Sequence, residues 1–515
     1  MKKQKPVAQE VRAVPDTAKA DVVVVGAGNA GLCAALAAAE GGASVLVLEK
    51  APEHLRGGNT FFTGGLFRFA YNGWDEIQQL ISLSQTERDG VDVGSYPVAT
   101  YYEDIMRVTE GLADPELIDL VVHQSFPTMG WMRGQGVPWV LAYGRQAFKD
   151  NGKLRFWGGL IVEAVGGGKG LSDRLFELAA RAGVTVRYEC KAMDLLVGDD
   201  GAVHGVTYRE PGGKRTVSCR AVVLACGGFE ANPEMRARYL GPGWELAKVR
   251  GTRYNTGDGI RMALDAGAQP YGNWSGCHAV AWDLNAPPFG DRKIADLFQK
   301  HSYPFGLIVN IEGNRFVDEG ADFRNYTYAK YGREILKQPQ RVAFQLFDQK
   351  TLHLLRDEYR IPQVSKVESP TIEGLAKGLG VDPQGLARTV QGFNAAIQPG
   401  EFHPTVLDGK HTSGITPPKS NWALPLDAPP YVGYAVTCGI TFTFGGLRVN
   451  ANAEALDTED APIPGLYAAG ELVGGLFYSN YPGGSGLMAG SVFGKIAGTS
   501  AAARVVAPAA GKKPR

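Results

Sequence analysis

Four glycines, one proline and one tyrosine crowd into Ser479–Gly490, SNYPGGSGLMAG, and similar crowding recurs elsewhere in the chain. Such residues act by what they leave out: without a Cβ, backbone can lie directly against a flat or phosphorylated ligand. In DVVVVGAGNAGL, Gly26, Gly28 and Gly31 follow Val22–Val25 and open an Ala/Leu-rich run, with Asn29 and Ala30 between them. A buried strand, a tight turn and a helix N-terminus in that order form a pyrophosphate site. Glu49, beside Lys50 at the end of the next apolar strand, is spaced to hold a ribose. RGGNTFFTGG follows within seven residues and must run along the same ligand, offering Gly57, Gly58, Asn59, Thr60, Thr63, Gly64 and Gly65. LACGGF brings Ala225 and Gly227 to the mouth of the sheet, and IPGLYAAGEL turns at Gly470, with Glu471 able to meet a polyol. Finally Ser485, Gly486 and Leu487 begin a helix whose N-terminus favours negative charge. Taken in this order the segments point to FAD rather than to a nicotinamide dinucleotide.

The elements that must position these residues follow from pattern and composition. Asp21–Lys50 reads as a βαβ unit, about 72–150 as mostly helical with Asp114-Pro115 as a helix start, and 184–229 as an antiparallel hairpin feeding back into the nucleotide-binding sheet. Between about 275 and 425 the composition shifts to proline, aromatic and charged residues before glycine-rich strands resume. The expected architecture is α/β: a Rossmann-like FAD-binding domain in two parts, 21–274 and 426–505, with an inserted α+β capping (substrate) domain at 275–425 and disordered tails at 1–20 and 506–515. A chain of 515 residues, 44% hydrophobic, exceeds what one core usually serves.

Fifty-three basic residues balance 53 acidic ones, which argues against nucleic acid or an anionic membrane as the main partner. The six cysteines form no C-x-x-C, so no metal, cluster or covalent haem is expected. No apolar run reaches eighteen residues and the Lys-rich start lacks a signal-peptide core. The expectation is a cytoplasmic protein without membrane insertion.

These motifs resemble the flavoprotein family of fumarate reductases and 3-ketosteroid dehydrogenases, and within it most closely the FAD-dependent tricarballylate dehydrogenases. The resemblance spans about residues 20–503 and rests on VVVGAGNAGLCAAL, RGGNTFFTGG, GTRYNTGDGIRMALDAGA, RFVDEGADFRNYTYAKYGR, TCGITFTFGGLRV and GLYAAGELVGGLF. It implies a cap closing over the flavin, and it adds Ala192 and Asp258 to the cofactor contacts. Covalent members carry a histidine in the loop corresponding to Asn59–Gly65; this chain has none there, which implies noncovalent FAD. Arg324 resembles the proton-donating arginine of fumarate reductases, although one extra residue separates it from Glu319. Glu319 or Asp322 would relay its proton; if Arg324 is an ordinary ion-pairing arginine, Tyr326 or Tyr328 inherits the role. His278 falls where the family places a carboxylate-binding histidine, and His301 and Tyr478 are further substrate candidates.

Two departures bear on specificity. Phe442 stands in place of a substrate histidine and Tyr481 in place of a carboxylate-clamping arginine, and both exchanges remove positive charge. Tyr481-Pro482-Gly483 is similar to the stretch in which ketosteroid dehydrogenases use a tyrosine to polarise a ketone. Three functions therefore stand side by side. The first is a dehydrogenase or reductase acting beside a carboxylate, with tricarballylate foremost; the second forms an enone from a ketone; the third is a non-catalytic FAD-binding subunit serving a redox partner. The tricarballylate resemblance implies a membrane-bound iron–sulfur partner that reoxidises the flavin.

Overall fold

The computed structural model describes residues 18–506 apart from 151, 157 and 158. Val22–Val25 and Val45–Leu48 are buried throughout, without the alternation of a half-exposed strand, because helices cover the sheet they belong to. That sheet runs Glu454–Leu456, Pro462–Ala468, Ala221–Leu224, Val22–Val25, Val45–Leu48, Thr185–Arg187, and only its Glu454–Leu456 edge is antiparallel. Two helices, Asn29–Glu40 and Ser485–Val506, pack closely together. Their contact needs glycine: a Cβ on Gly494 would lie 2.4 Å from the Ala30 carbonyl oxygen, and one on Gly498 2.1 Å from that of Ala34.

The antiparallel strands Lys191–Val197, Val203–Glu210 and Gly213–Ser218 flank this core, as the hairpin pattern requires. Ala18–Lys19 adds a short parallel strand on Val217–Ser218, while most of the expected N-terminal tail and nearly all of the C-terminal one lie outside the described residues. Helices Trp74–Leu80, Val98–Val108 and Pro115–Gln135 occupy the helical stretch, the last capped by Asp114, which accepts from the Glu116 and Leu117 N–H groups. Trp139–Leu141 and Ala147–Asp150 are strands, so that stretch is less helical than its composition suggests.

The second sheet is organised by two long strands, Pro270–Asp283 and Tyr431–Leu447. They pair antiparallel from Pro270 with Leu447 to Asp283 with Val436, with register breaks between Asn273 and Cys277 and between His278 and Ala279. The expected boundary at 274/275 falls inside the first break. Ala343–Asp348 and Lys366–Ser369 also pair with Tyr431–Leu447, and Leu307–Asn310 pairs with Ala343–Asp348. All six cysteines are free. Among the described residues no cluster of metal-ligand side chains occurs, and no helix is long and apolar enough to cross a membrane.

Candidate active site

A single continuous cavity passes Glu49 and Lys50, Gly28, Gly486 and Leu487, and ends among Arg324, Tyr328 and Tyr481. The Glu49 carboxylate accepts from the Ala27 N–H at 2.9 Å and the Ala51 N–H at 2.7 Å, which fixes it against the glycine turn. Burial pushes its pKa up against those bonds. Asp258 is gripped by Lys50 at 2.7 Å and Lys191 at 2.8 Å; burial would raise its carboxyl, but the two lysines outweigh it and hold it low. Gly26 has φ +100°, and a Cβ there would strike the Ala225 carbonyl oxygen at 2.6 Å.

Asn29 ties the two helix starts together. Its N–H donates to Thr60 Oγ1 at 2.8 Å, and its amide donates to the Leu487 carbonyl at 3.0 Å and to Ser491 Oγ at 2.9 Å. Between them lies a cradle: an added Cβ on Gly28 or Gly486 would come no closer than 3.7 Å to protein atoms, and on Gly58 no closer than 3.8 Å. Gly58 has φ +53°, which by itself favours glycine, but Gly28 and Gly486 have room for a side chain and carry none, as expected where the room faces a ligand.

At the far end Arg324 is half-buried, and desolvation first, then the Arg356 charge, push its guanidinium down to about 9, with Glu358 pulling the other way. Arg356 donates from Nε to both Glu358 carboxylate oxygens, at 3.1 and 3.2 Å. The loop carrying Tyr481 is bound to the segment carrying Arg324: the Asn480 amide donates to the Tyr326 carbonyl at 2.7 Å, and the Gly483 N–H to the Asn325 carbonyl at 3.0 Å. The Tyr481 and Tyr328 hydroxyls are hydrogen-bonded to each other, and burial raises the pKa of both. Phe442 and Phe477 meet the Tyr481 ring edge-on at 5.2 and 5.4 Å. His278 stacks behind Phe442 at 5.2 Å, with both ring nitrogens lacking a hydrogen-bond partner, and burial holds it neutral. His301 lines the cavity and is neutral for the same reason.

The FAD binding domain family matches residues 21–487. The chain belongs to that family. A probable fumarate reductase Ifc3 of Shewanella frigidimarina (strain NCIMB 400) is 30% identical over 492 residues, covering 93% of this chain and 74% of the relative. A 3-oxosteroid 1-dehydrogenase of Mycobacterium tuberculosis is 28% identical, covering 93% of this chain and 97% of the relative. The open conformation of a flavocytochrome c3 fumarate reductase superposes with TM-score 0.71 at 27% identity, over 95% of this chain and 79% of that one. The chain is thus a flavoprotein related to fumarate reductases and ketosteroid dehydrogenases, and its cofactor is FAD.

The cavity suits FAD: glycine cradle, two helix N-termini, Glu49 beside the first turn and Glu471 farther along. Most of the FAD contacts expected from sequence line it, including Ala192, Ala225, Gly227 and Gly470. Gly31, Gly57 and Gly65 do not; they are glycines because a Cβ would lie 2.0 Å from the Gly26 carbonyl oxygen, 2.3 Å from Ser172 Oγ and 2.6 Å from the Gly167 carbonyl carbon. Ser485 also turns away, its hydroxyl accepting from Tyr101 at 3.1 Å. Of the substrate candidates, Arg324, Tyr481, His301 and Phe442 share the cavity end. His278 stands behind it, Tyr478 lies outside the lining, and Glu319 is held by Arg315 at 2.5 Å and by the Ile308 N–H at 2.8 Å. Asp322 pairs with Arg107 at 2.8 Å. Sequence reasoning missed Arg356, which no motif marks in LHLLRDEY, and Arg250, whose Nε donates to Asp296 at 2.9 Å on the cavity wall.

Proposed function

We propose that this FAD-dependent enzyme interconverts a C–C single bond and a double bond beside a carboxylate. The observation that carries the reading is that Arg324 and Arg356 both line one end of the cavity, where the Arg356 charge acts on Arg324. Glu358 offsets part of the Arg356 charge, and a bidentate anion such as a carboxylate would relieve what remains of the repulsion between the two guanidinium groups. When bound, FAD supplies the hydride-accepting and hydride-donating chemistry.

The chain's own residues supply the rest. Arg356 orients the carboxylate. Arg324, protonated at neutral pH but with its pKa lowered to about 9, holds the proton exchanged at the carbon α to the carboxylate. Phe442, Phe477 and Tyr481 wall off water. Tricarballylate is the specific substrate that the sequence motifs suggest, with Arg324 and Arg356 available to two of its carboxylates. A second reading, a ketone of the ketosteroid type, rests on Tyr481, whose hydroxyl could donate to a carbonyl oxygen while Tyr328 holds it in place.

The test is anaerobic. Holoenzyme is mixed with tricarballylate, succinate-type and arylpropionate acids and 3-ketosteroids, and photoreduced holoenzyme with the matching unsaturated acids, while flavin absorbance is followed. Flavin turnover by the carboxylates alone supports the proposal. Turnover by ketones alone replaces it with the second reading, and turnover by none returns the protein to a redox-partner subunit without its own substrate.

A further inference from the structure

Behind the FAD cavity two glutamates from neighbouring parallel strands meet. Glu230 follows Ala221–Leu224 and Glu471 follows Pro462–Ala468, so the paired strands deliver both carboxyls to one end of the sheet. Glu471 lines the cavity; Glu230 lies behind it with no solvent exposure. Glu230 Oε1 accepts from the Asn59 amide at 2.7 Å and the Asn255 amide at 2.6 Å. Its Oε2 is buried and accepts from no donor, and the Glu471 carboxyl lies against the Glu230 carboxyl. Glu471 Oε1 accepts in turn from the Thr443 N–H at 2.6 Å and the Thr443 hydroxyl at 2.9 Å.

With Glu230 fully buried and Glu471 half-buried on the cavity wall, two carboxylates in contact cannot both be ionised without a large electrostatic cost. Arg236 attracts Glu230 without hydrogen-bonding its carboxyl. The Arg236 guanidinium donates to the backbone carbonyls of Glu230, Ala247 and Glu245 at 2.9, 3.1 and 2.9 Å, not to either carboxyl. Cys277 and Cys438 lie nearby as neutral thiols, pushed up by burial. Among the described residues no Lys or Arg side chain hydrogen-bonds Glu230 or Glu471.

We infer that Glu230 and Glu471 hold one proton between them, carried on Glu230 Oε2, and so form an acid–carboxylate pair that presents a single negative charge to FAD through Glu471. Burial and the neighbouring Glu471 raise the Glu230 carboxyl well above the usual range, in keeping with this arrangement. Glu230 is a positioning residue: its acid proton fixes the Glu471 carboxylate, while the Asn59 amide links the pair to the Asn59–Gly65 loop and, at 2.7 Å, to the Thr441 carbonyl.

Infrared spectroscopy of the FAD-loaded protein tests the pair directly. At neutral pH the wild type should show the carbonyl stretch of a protonated glutamic acid, shifted by 13C-glutamate labelling, and Glu230→Gln should lose it. Glutamine reproduces the geometry, donating N–H to Glu471 and accepting from Asn59 and Asn255, so its FAD dissociation constant should stay within about threefold of wild type. As pH rises the wild type should lose the acid band and FAD affinity together, because a second buried negative charge forms, whereas Glu230→Gln should keep its affinity. Glu471→Gln should also lose the band, since the introduced amide would then donate to an ionised Glu230. Absence of the band in the wild type, its persistence in both variants, or the same alkaline loss of affinity in Glu230→Gln would each overturn the inference.

Discussion

Replacing Arg356 with glutamine separates the two tasks assigned to the paired arginines. The side chain keeps its reach but loses its charge, so a carboxylate substrate loses a charge-assisted contact of about 1.5–3 kcal/mol, or roughly 10- to 150-fold in KM. The same change acts on Arg324. Arg356 is the largest charge repelling it, and Glu358, released from Arg356, would attract it, so both effects raise the Arg324 pKa from about 9. Reduction of an unsaturated acid needs a protonated Arg324, so that activity is complete below its pKa and lost as pH rises through it, and its alkaline limb should move to higher pH; dehydrogenation of a saturated acid needs the unprotonated form, so the rise of that activity with pH should likewise move to higher pH. Steady-state rates on an accepted carboxylate, measured against concentration through the alkaline range, give both quantities. A KM within twofold of wild type with an unmoved limb would refute the reasoning and leave Arg356 as a partner of Glu358 alone.

Arg324→Lys should keep FAD but lower turnover at least about 100-fold, as expected for losing a positioned proton-transfer group; near-normal turnover would shift attention to Tyr328. Tyr481→Phe separates the substrate classes: with a carboxylate it should raise KM and leave kcat within a few-fold, whereas with a ketone it should lower kcat and kcat/KM together by about 2–4 kcal/mol of transition-state stabilisation. Gly28→Val should fold, since the protein leaves room at that Cβ, yet purify without yellow colour; full FAD occupancy would contradict the cradle. Acid or chaotrope should release FAD from the wild-type protein, and flavin retained on the denatured chain would exclude noncovalent attachment.

The cofactor half of the site was legible because it depends on local chain properties. Four consecutive valines, three spaced glycines and an acidic residue at the next strand end are short-range signals, and they fold into the turn they describe. Even there glycine was ambiguous: Gly31, Gly57 and Gly65 sit in the same motifs as Gly28 and Gly58, but backbone or side-chain neighbours, not a ligand, exclude their Cβ atoms. The substrate half depends on long-range assembly. Arg356 reaches the cavity from a segment with no periodic or motif signature, and Glu319, one short turn from Arg324 in sequence, is turned away to meet Arg315. Glu230 and Glu471 illustrate the same limit, since nothing within either segment announces that the other lies against it.

The two long strands, 14 and 17 residues, pair over Val436–Leu447 and make a ribbon roughly 40 Å long at about 3.3 Å per residue. One end is stitched to the nucleotide-binding layer through Leu447 and Val473; the other carries the sheet completed by Ala343–Asp348 and Lys366–Ser369. In mechanical terms the layers are joined by a torsion bar, not by a loose tether. Relative rotation would have to be absorbed as twist and shear within a hydrogen-bonded ladder, which stiffens the joint and keeps its excursions small. The compliant points are the register breaks at Asn273/Cys277 and His278/Ala279, one of them opposite Phe442. Compliance is therefore concentrated where the ribbon passes the cavity, and a substitution that regularised the ladder there would alter the rate of substrate entry while leaving every catalytic side chain in place.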